Sequence, residues 1–148
     1  MTNIKHPFIS FSLVASQFSL IALLLLQLPL SFHPAVLAIE AFAVFIGLWA
    51  VQAMHLGHFN IVPDPMPDIE LVTDGPYRFI RHPMYFSIIL FFLPLVVVDS
   101  SWIGLALYAA LILALFIKLS YEESLLIEKL PHYQIYQQQT KKLIPFLM

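Results

Sequence analysis

Apolar residues fill the chain in four runs, and the polar breaks between them read as turns or loops. Residues 9–30 are apolar except for serines, Gln17 and Gln27. About 20 such residues span a hydrocarbon core of ~30 Å, so this run predicts a first membrane span. It is longer than a signal-peptide core, and no small-residue cleavage site follows it promptly. Ser31-Phe32-His33-Pro34 reads as a tight turn, and residues 35–56 form a second span. Residues 57–82 are the longest polar connection. Pro63, Pro65 and Pro67 exclude a continuous helix there, and a loop of this length in a compact chain is usually functional. Residues 83–98 form a third, short span, which Pro94 should bend by freeing the carbonyl of Leu90. Asp99-Ser100-Ser101 is a turn, and residues 102–119 form a fourth span. From Tyr121 onward the chain is polar and amphipathic. Leu125, Leu126, Leu130, Tyr133 and Tyr136 form a face that suits a membrane surface, and Pro131 should break the segment in two. The pattern predicts an all-α polytopic membrane protein, a single domain over residues 1–148, with four transmembrane helices and an amphipathic C-terminal segment.

Composition agrees with this pattern. Of 148 residues, 60% are hydrophobic and 11% charged, and the mean hydropathy is +0.85. Those values exclude an ordinary soluble domain. The absence of cysteine excludes disulfides, thiolate metal sites and a cysteine nucleophile. A formal net charge of −2 gives no reason to expect nucleic acid.

Charge also sets an orientation. With four spans, the N-terminus, the 57–82 loop and the C-terminal tail share one side. All seven lysines and arginines lie there: Lys5, Arg78, Arg81, Lys118, Lys129, Lys141 and Lys142. The positive-inside rule makes that side cytoplasmic, with both termini inside, as expected of a protein of the cell (inner) membrane.

Candidate chemistry concentrates in residues 74–87, which hold both arginines, Arg78 and Arg81, with His82 beside them. Pro83 is suited to the first position of a helix, so these side chains sit at the positive mouth of span three. This fits a site for an anionic group, although a positive-inside anchor needs only scattered cations. Spans three and four are joined by a three-residue turn and form an antiparallel hairpin. The hairpin brings Arg81, His82 and Tyr85 close to Tyr121, Glu122 and Glu123. Arg81 and Tyr85 share a helix face. A polar site at the membrane mouth is one reading, and a plain surface salt bridge is the other. Gln52 and His55, three apart near the cytoplasmic end of span two, could line the pocket. His55 and His58 lack a third ligand, so no metal is expected. Glu40, about five residues into span two, reads as an interface or helix-dipole residue.

Leu71-Val72-Thr73-Asp74-Gly75-Pro76-Tyr77-Arg78, followed by Arg81-His82-Pro83-Met84-Tyr85, resembles the isoprenylcysteine carboxyl methyltransferase family and the related membrane phospholipid methyltransferases. The second signature is Glu122-Glu123, then Tyr133 and Tyr136, then Leu143-Ile144-Pro145. The resemblance covers roughly residues 47–146. Two departures stand out: Ser87 where the family often has glycine, and Leu130-Pro131 where it commonly has Phe-Gly.

The resemblance implies S-adenosylmethionine as methyl donor, bound on the cytosolic side. Arg81, His82, Tyr85, Glu122 and Glu123 would then belong to the cofactor pocket, with Arg81 and Glu122 catalytic. Gly75 and Tyr77 would shape its loop, and Gln52 and His55 would lie on the route of a lipophilic or lipid-modified substrate. Methyl transfer from a sulfonium is an in-line displacement that needs alignment and exclusion of water. Arginine can grip a carboxylate, and tyrosine faces tolerate a sulfonium. Two other functions remain open: an NADPH-dependent membrane reductase resembling the sterol reductases, and a non-enzymatic membrane subunit.

Overall fold

The computed structural model describes residues 4–54 and 60–146. Five helices account for it: α1 Pro7–Gln27, α2 Pro34–Met54, α3 Pro83–Asp99, α4 Trp102–Lys129 and α5 Tyr133–Gln139. Each of the first three opens on a proline, whose missing N–H costs nothing there. Ser101 caps α4 by accepting from the Gly104 N–H at 3.0 Å. Ser100, at φ 51°, closes α3 in the left-handed conformation common at helix ends.

The helices do not pack in chain order. Helix α1 lies along α4, α2 lies along α3, and α3 and α4 form the expected hairpin. The result is the open row α1–α4–α3–α2, in which α1 and α2 make at most marginal contact. Leu24, Leu111 and Leu115, fully buried, form the centre of the core with Phe92, Leu95 and Tyr108. The Tyr108 hydroxyl donates to the Ile89 carbonyl at 2.8 Å. It thereby ties α4 to α3 about one turn before Pro94, which cannot donate to Leu90.

The outer faces are apolar. Phe11, Phe18, Leu26, Phe42, Phe45, Leu48, Val97, Ile103 and Leu113 are all exposed, a surface suited to lipid rather than water. Helices α1, α2 and α4 are long and apolar enough to cross a membrane, and α3 is a shorter apolar helix.

The C-terminal part differs from expectation in two ways. Helix α4 runs unbroken to Lys129, because nothing before Pro131 disfavours helix. Its 28 residues measure ~42 Å against a core of ~30 Å, so its last turns extend beyond the apolar part. The apolar face of the tail also turns inward rather than lying free for a membrane surface. Tyr133 and Tyr136 are buried with Leu126 against Ile69, Leu71 and Leu130, because the long loop offers these tyrosines an apolar partner of its own. The last segment is stitched to that loop by backbone hydrogen bonds. The Arg81 N–H donates to the Lys141 carbonyl at 2.8 Å and the His82 N–H to that of Lys142 at 3.2 Å.

Candidate active site

The loop reaches its position through Gly75. Its φ of +58° is a conformation that side chains strain, and a Cβ there would lie 3.0 Å from Ala53 Cβ. The loop can therefore press onto the end of α2. A short 3₁₀ turn, Gly75–Arg78, then buries Pro76 and Tyr77. The Tyr136 hydroxyl donates to the Tyr77 carbonyl at 2.6 Å, joining tail and loop. Burial, reinforced by the negative charge of Glu122, raises the Tyr77 hydroxyl well above its ordinary range. Burial does the same for Tyr133 and Tyr136. All three stay protonated at neutral pH.

Beside the cavity lies an ionic clasp. The Arg81 Nε–H donates to Glu123 Oε1 at 2.7 Å, with both side chains under a tenth exposed. Arg81 Nη1 donates to the carbonyls of Gln137 at 3.0 Å and Thr140 at 2.7 Å. His82 Nε2 sits 3.1 Å from the same Glu123 oxygen, and the His82 ring stacks on Tyr85. The other Glu123 oxygen accepts from Gln137 Nε2 at 3.2 Å and lies 3.7 Å from Lys142 Nζ. A buried charge pair is stable only when its remaining donors and acceptors find partners; here Arg81 Nη1 and both Glu123 oxygens do.

Glu122, the next residue, is placed differently. Among the described residues it makes one hydrogen bond, from the Tyr85 hydroxyl at 2.7 Å, and no ion pair. It lines two adjoining lobes of ≈ 140 and ≈ 70 Å³. The larger lobe takes walls from Gln17 on α1, Asn60 and Asp64 in the loop, Tyr85 and Ile88 on α3, and Lys118 on α4. The smaller is bounded by residues 69–72, Leu126, Tyr133 and Tyr136. Buried Asp64 pins the roof by accepting from the Ser10 hydroxyl and from the Lys5 N–H at 3.0 Å. Lys129 Nζ donates to the carbonyls of Pro65 and Met66 at 2.9 and 2.8 Å.

Gly75, Tyr77, Arg81, His82, Tyr85, Glu122 and Glu123 thus converge on one end of the bundle. Of these, Tyr77, Arg81, His82, Tyr85 and Glu122 border the lobes. Gly75 and Glu123 stand behind them. Gln52 is exposed on α2 and lines neither lobe, and His55 and His58 lie outside the described residues. Arg78 is exposed and Glu40 half-buried, both away from the lobes. Sequence reasoning missed Gln17, Asp64 and Lys118 as site residues. The available signals were a glutamine inside a span and a lysine four residues before Glu122 on one helix face.

Apolar helices with a polar cavity at one end suit a membrane enzyme whose site faces the bilayer edge. The model of the phospholipid methyltransferase family matches residues 30–133, well over half of the chain, and the chain belongs to this family of membrane methyltransferases. The match takes in α2, the loop, α3, α4 and Tyr133. Helix α1, with Ser10 and Gln17, and the segment from Gln137 to Lys142 lie outside it. A comparison with curated proteins finds no match to the chain.

Proposed function

We propose that the protein transfers a methyl group from S-adenosylmethionine to a lipophilic acceptor at the cytoplasmic face of the membrane. The observation that carries this reading is the placement of Glu122. It is a carboxylate that borders the cavity, is oriented by Tyr85 and is unpaired among the described residues. The residues present suit the donor. Glu122 would accept from its ammonium or ribose hydroxyls, Tyr77 would face its sulfonium, and Met54, Ile69 and Leu126 would pack on its base. Bound there, the donor supplies an electrophilic methyl group.

The chain's own contribution is alignment and exclusion of water. Tyr85 holds Glu122 by its hydroxyl, and the pinned 60–69 loop roofs the cavity. The guanidinium of Arg81 is engaged by Glu123 and by the tail carbonyls. Through Nε and Nη1, Arg81 therefore acts as a positioning residue that holds Glu123 and the tail.

The acceptor would arrive from the bilayer. An apolar groove of ≈ 350 Å³ runs between α1 and α2 over α3, lined by Ile21, Leu25, Val44, Phe91 and Phe92. Ile88 borders both this groove and the larger polar lobe. A hydrocarbon tail in the groove would leave its polar head at the cavity. This route runs between α1 and α2, away from exposed Gln52.

The whole chain would act as one membrane domain, with α3 as a fourth crossing. Its 17 residues measure ~25 Å, a short span. Reporter fusions at Phe32 and Ser100 should then read outside, and fusions at Asp68 and the C-terminus inside. An outside signal from Asp68 refutes the topology. The activity is tested by titrating S-adenosylhomocysteine, and separately NADPH, into detergent-purified protein, and by labelled methyl transfer into a lipid extract. Binding of S-adenosylhomocysteine alone, with label in lipid, is expected. NADPH binding without methyl transfer would overturn the assignment.

A further inference from the structure

Lys118 is the residue of the cavity that methyl transfer as described above leaves without a task. It sits on α4 with 3% of its surface exposed, and it lines the larger lobe. Its ammonium donates to Gln17 Oε1 at 2.7 Å and to the Ile61 carbonyl at 3.1 Å. It also lies 5.3 Å from the centre of the Tyr85 ring. Every one of these partners is neutral, and none of the ion pairs among the described residues includes Lys118. Every charged member of the Arg81–Glu123 clasp, by contrast, has an opposite charge. A buried cation held only by neutral oxygens is costly unless a counter-charge arrives.

Glu122 stands four residues further along α4, hence on the same face, and lines the same lobe. The lobe thus carries one positive and one negative group, roughly a helical turn apart, that do not pair with each other. Self-pairing would leave nothing for a ligand. Held apart by Gln17 on one side and Tyr85 on the other, they are complementary to a zwitterion.

We infer that Lys118 and Glu122 together anchor a zwitterionic group, with Lys118 taking its anionic oxygens and Glu122 its ammonium. The inference rests on the methyl-transfer reading and deepens it. Two bound molecules could present such a group: the donor, through its amino-acid end, or a lipid acceptor whose head carries a phosphate and an amine. Lys118 is in either case a specificity-determining residue, and Gln17 positions its ammonium from a helix outside the segment that the family model matches.

The test is calorimetry on wild type, Lys118→Met and Lys118→Arg in detergent, with two probes. S-adenosylhomocysteine carries the amino-acid end, and methylthioadenosine lacks it. Acceptor kinetics are run in parallel on phosphatidylethanolamine vesicles. If the donor supplies the zwitterion, Lys118→Met binds S-adenosylhomocysteine about tenfold or more weakly, as expected for a lost charge-assisted hydrogen bond. Methylthioadenosine affinity stays at the wild-type value, which also shows that the variant is folded. If the acceptor supplies it, both nucleosides bind normally while the acceptor KM rises by a similar factor and kcat is kept. Lys118→Arg restores either loss in large part, because the charge returns.

Equal weakening of both nucleosides marks a structural role and overturns the inference. So does wild-type behaviour of Lys118→Met in both assays. Wild-type protein that binds no S-adenosylhomocysteine overturns the methyl-transfer reading itself, and with it this inference. Failure confined to the Lys118 variants sinks the inference alone.

Discussion

The clasp and the cavity floor are neighbours built from the same kinds of residue, yet they are wired in opposite ways. In the clasp, Glu123 is met by Arg81, His82, Gln137 and Lys142, and Arg81 Nη1 donates to two tail carbonyls. On the cavity floor, Glu122 is met by one tyrosine hydroxyl and Lys118 by neutral oxygens. A cluster whose charges are paired with one another chiefly holds structure. An undersaturated one costs stability and keeps its charges for binding. On the proposed reading, two adjacent glutamates divide the work: Glu123 fastens loop and tail to α4, and Glu122 would serve the bound molecule.

Breaking the clasp should have the largest effect. Glu123→Ala leaves Arg81 buried without its counter-charge, a loss of about 3–5 kcal/mol. Thermal unfolding in detergent should show a much lower Tm, and limited proteolysis should release the tail beyond Lys129. A variant that melts like wild type would dissolve the distinction. Tyr85→Phe sharpens the comparison from the other side. It removes the single hydrogen bond to Glu122, worth about 0.5–1.5 kcal/mol. Calorimetry should show S-adenosylhomocysteine binding weakened severalfold with little change in Tm. The smallest effect on donor binding is expected from Val44→Trp, which fills the apolar groove from an exposed position on α2. Steady-state kinetics should show a raised acceptor KM with donor affinity kept, because only the lipid path is narrowed.

Much of this arrangement is legible in the sequence, for reasons that also mark its limit. The four apolar runs predict the four long helices, and the short turn at Asp99-Ser100-Ser101 makes α3 and α4 a hairpin. From that alone Arg81, His82 and Tyr85 must lie near Glu122 and Glu123. Which glutamate faces the cavity depends on the rotation of α4, where neighbouring residues point ~100° apart. Nothing in a Glu-Glu pair reveals that angle. The tail was misread because its tyrosines suit a membrane surface and a protein surface equally well. Only the loop, with Ile69 and Leu71, supplies the partner that decides between them. Lys118 reads as one more cytoplasmic charge until α1 is seen to pack on α4 and bring Gln17 to it. The pairing of α1 with α4, rather than with α2, is a long-range choice that no local pattern encodes.

The division between the two glutamates is the central claim, and one measurement tests it: thermal unfolding of wild type, Glu122→Gln and Glu123→Gln, each with and without saturating S-adenosylhomocysteine. A ligand that binds only the folded state raises the Tm. Wild type should show that rise. Glu122→Gln should melt near the wild-type temperature without ligand and lose most of the rise. Glu123→Gln should melt well below both before any ligand is added. If Glu122→Gln keeps the full ligand-induced rise, or Glu123→Gln melts with wild type, the two glutamates do not divide structure from binding in this way.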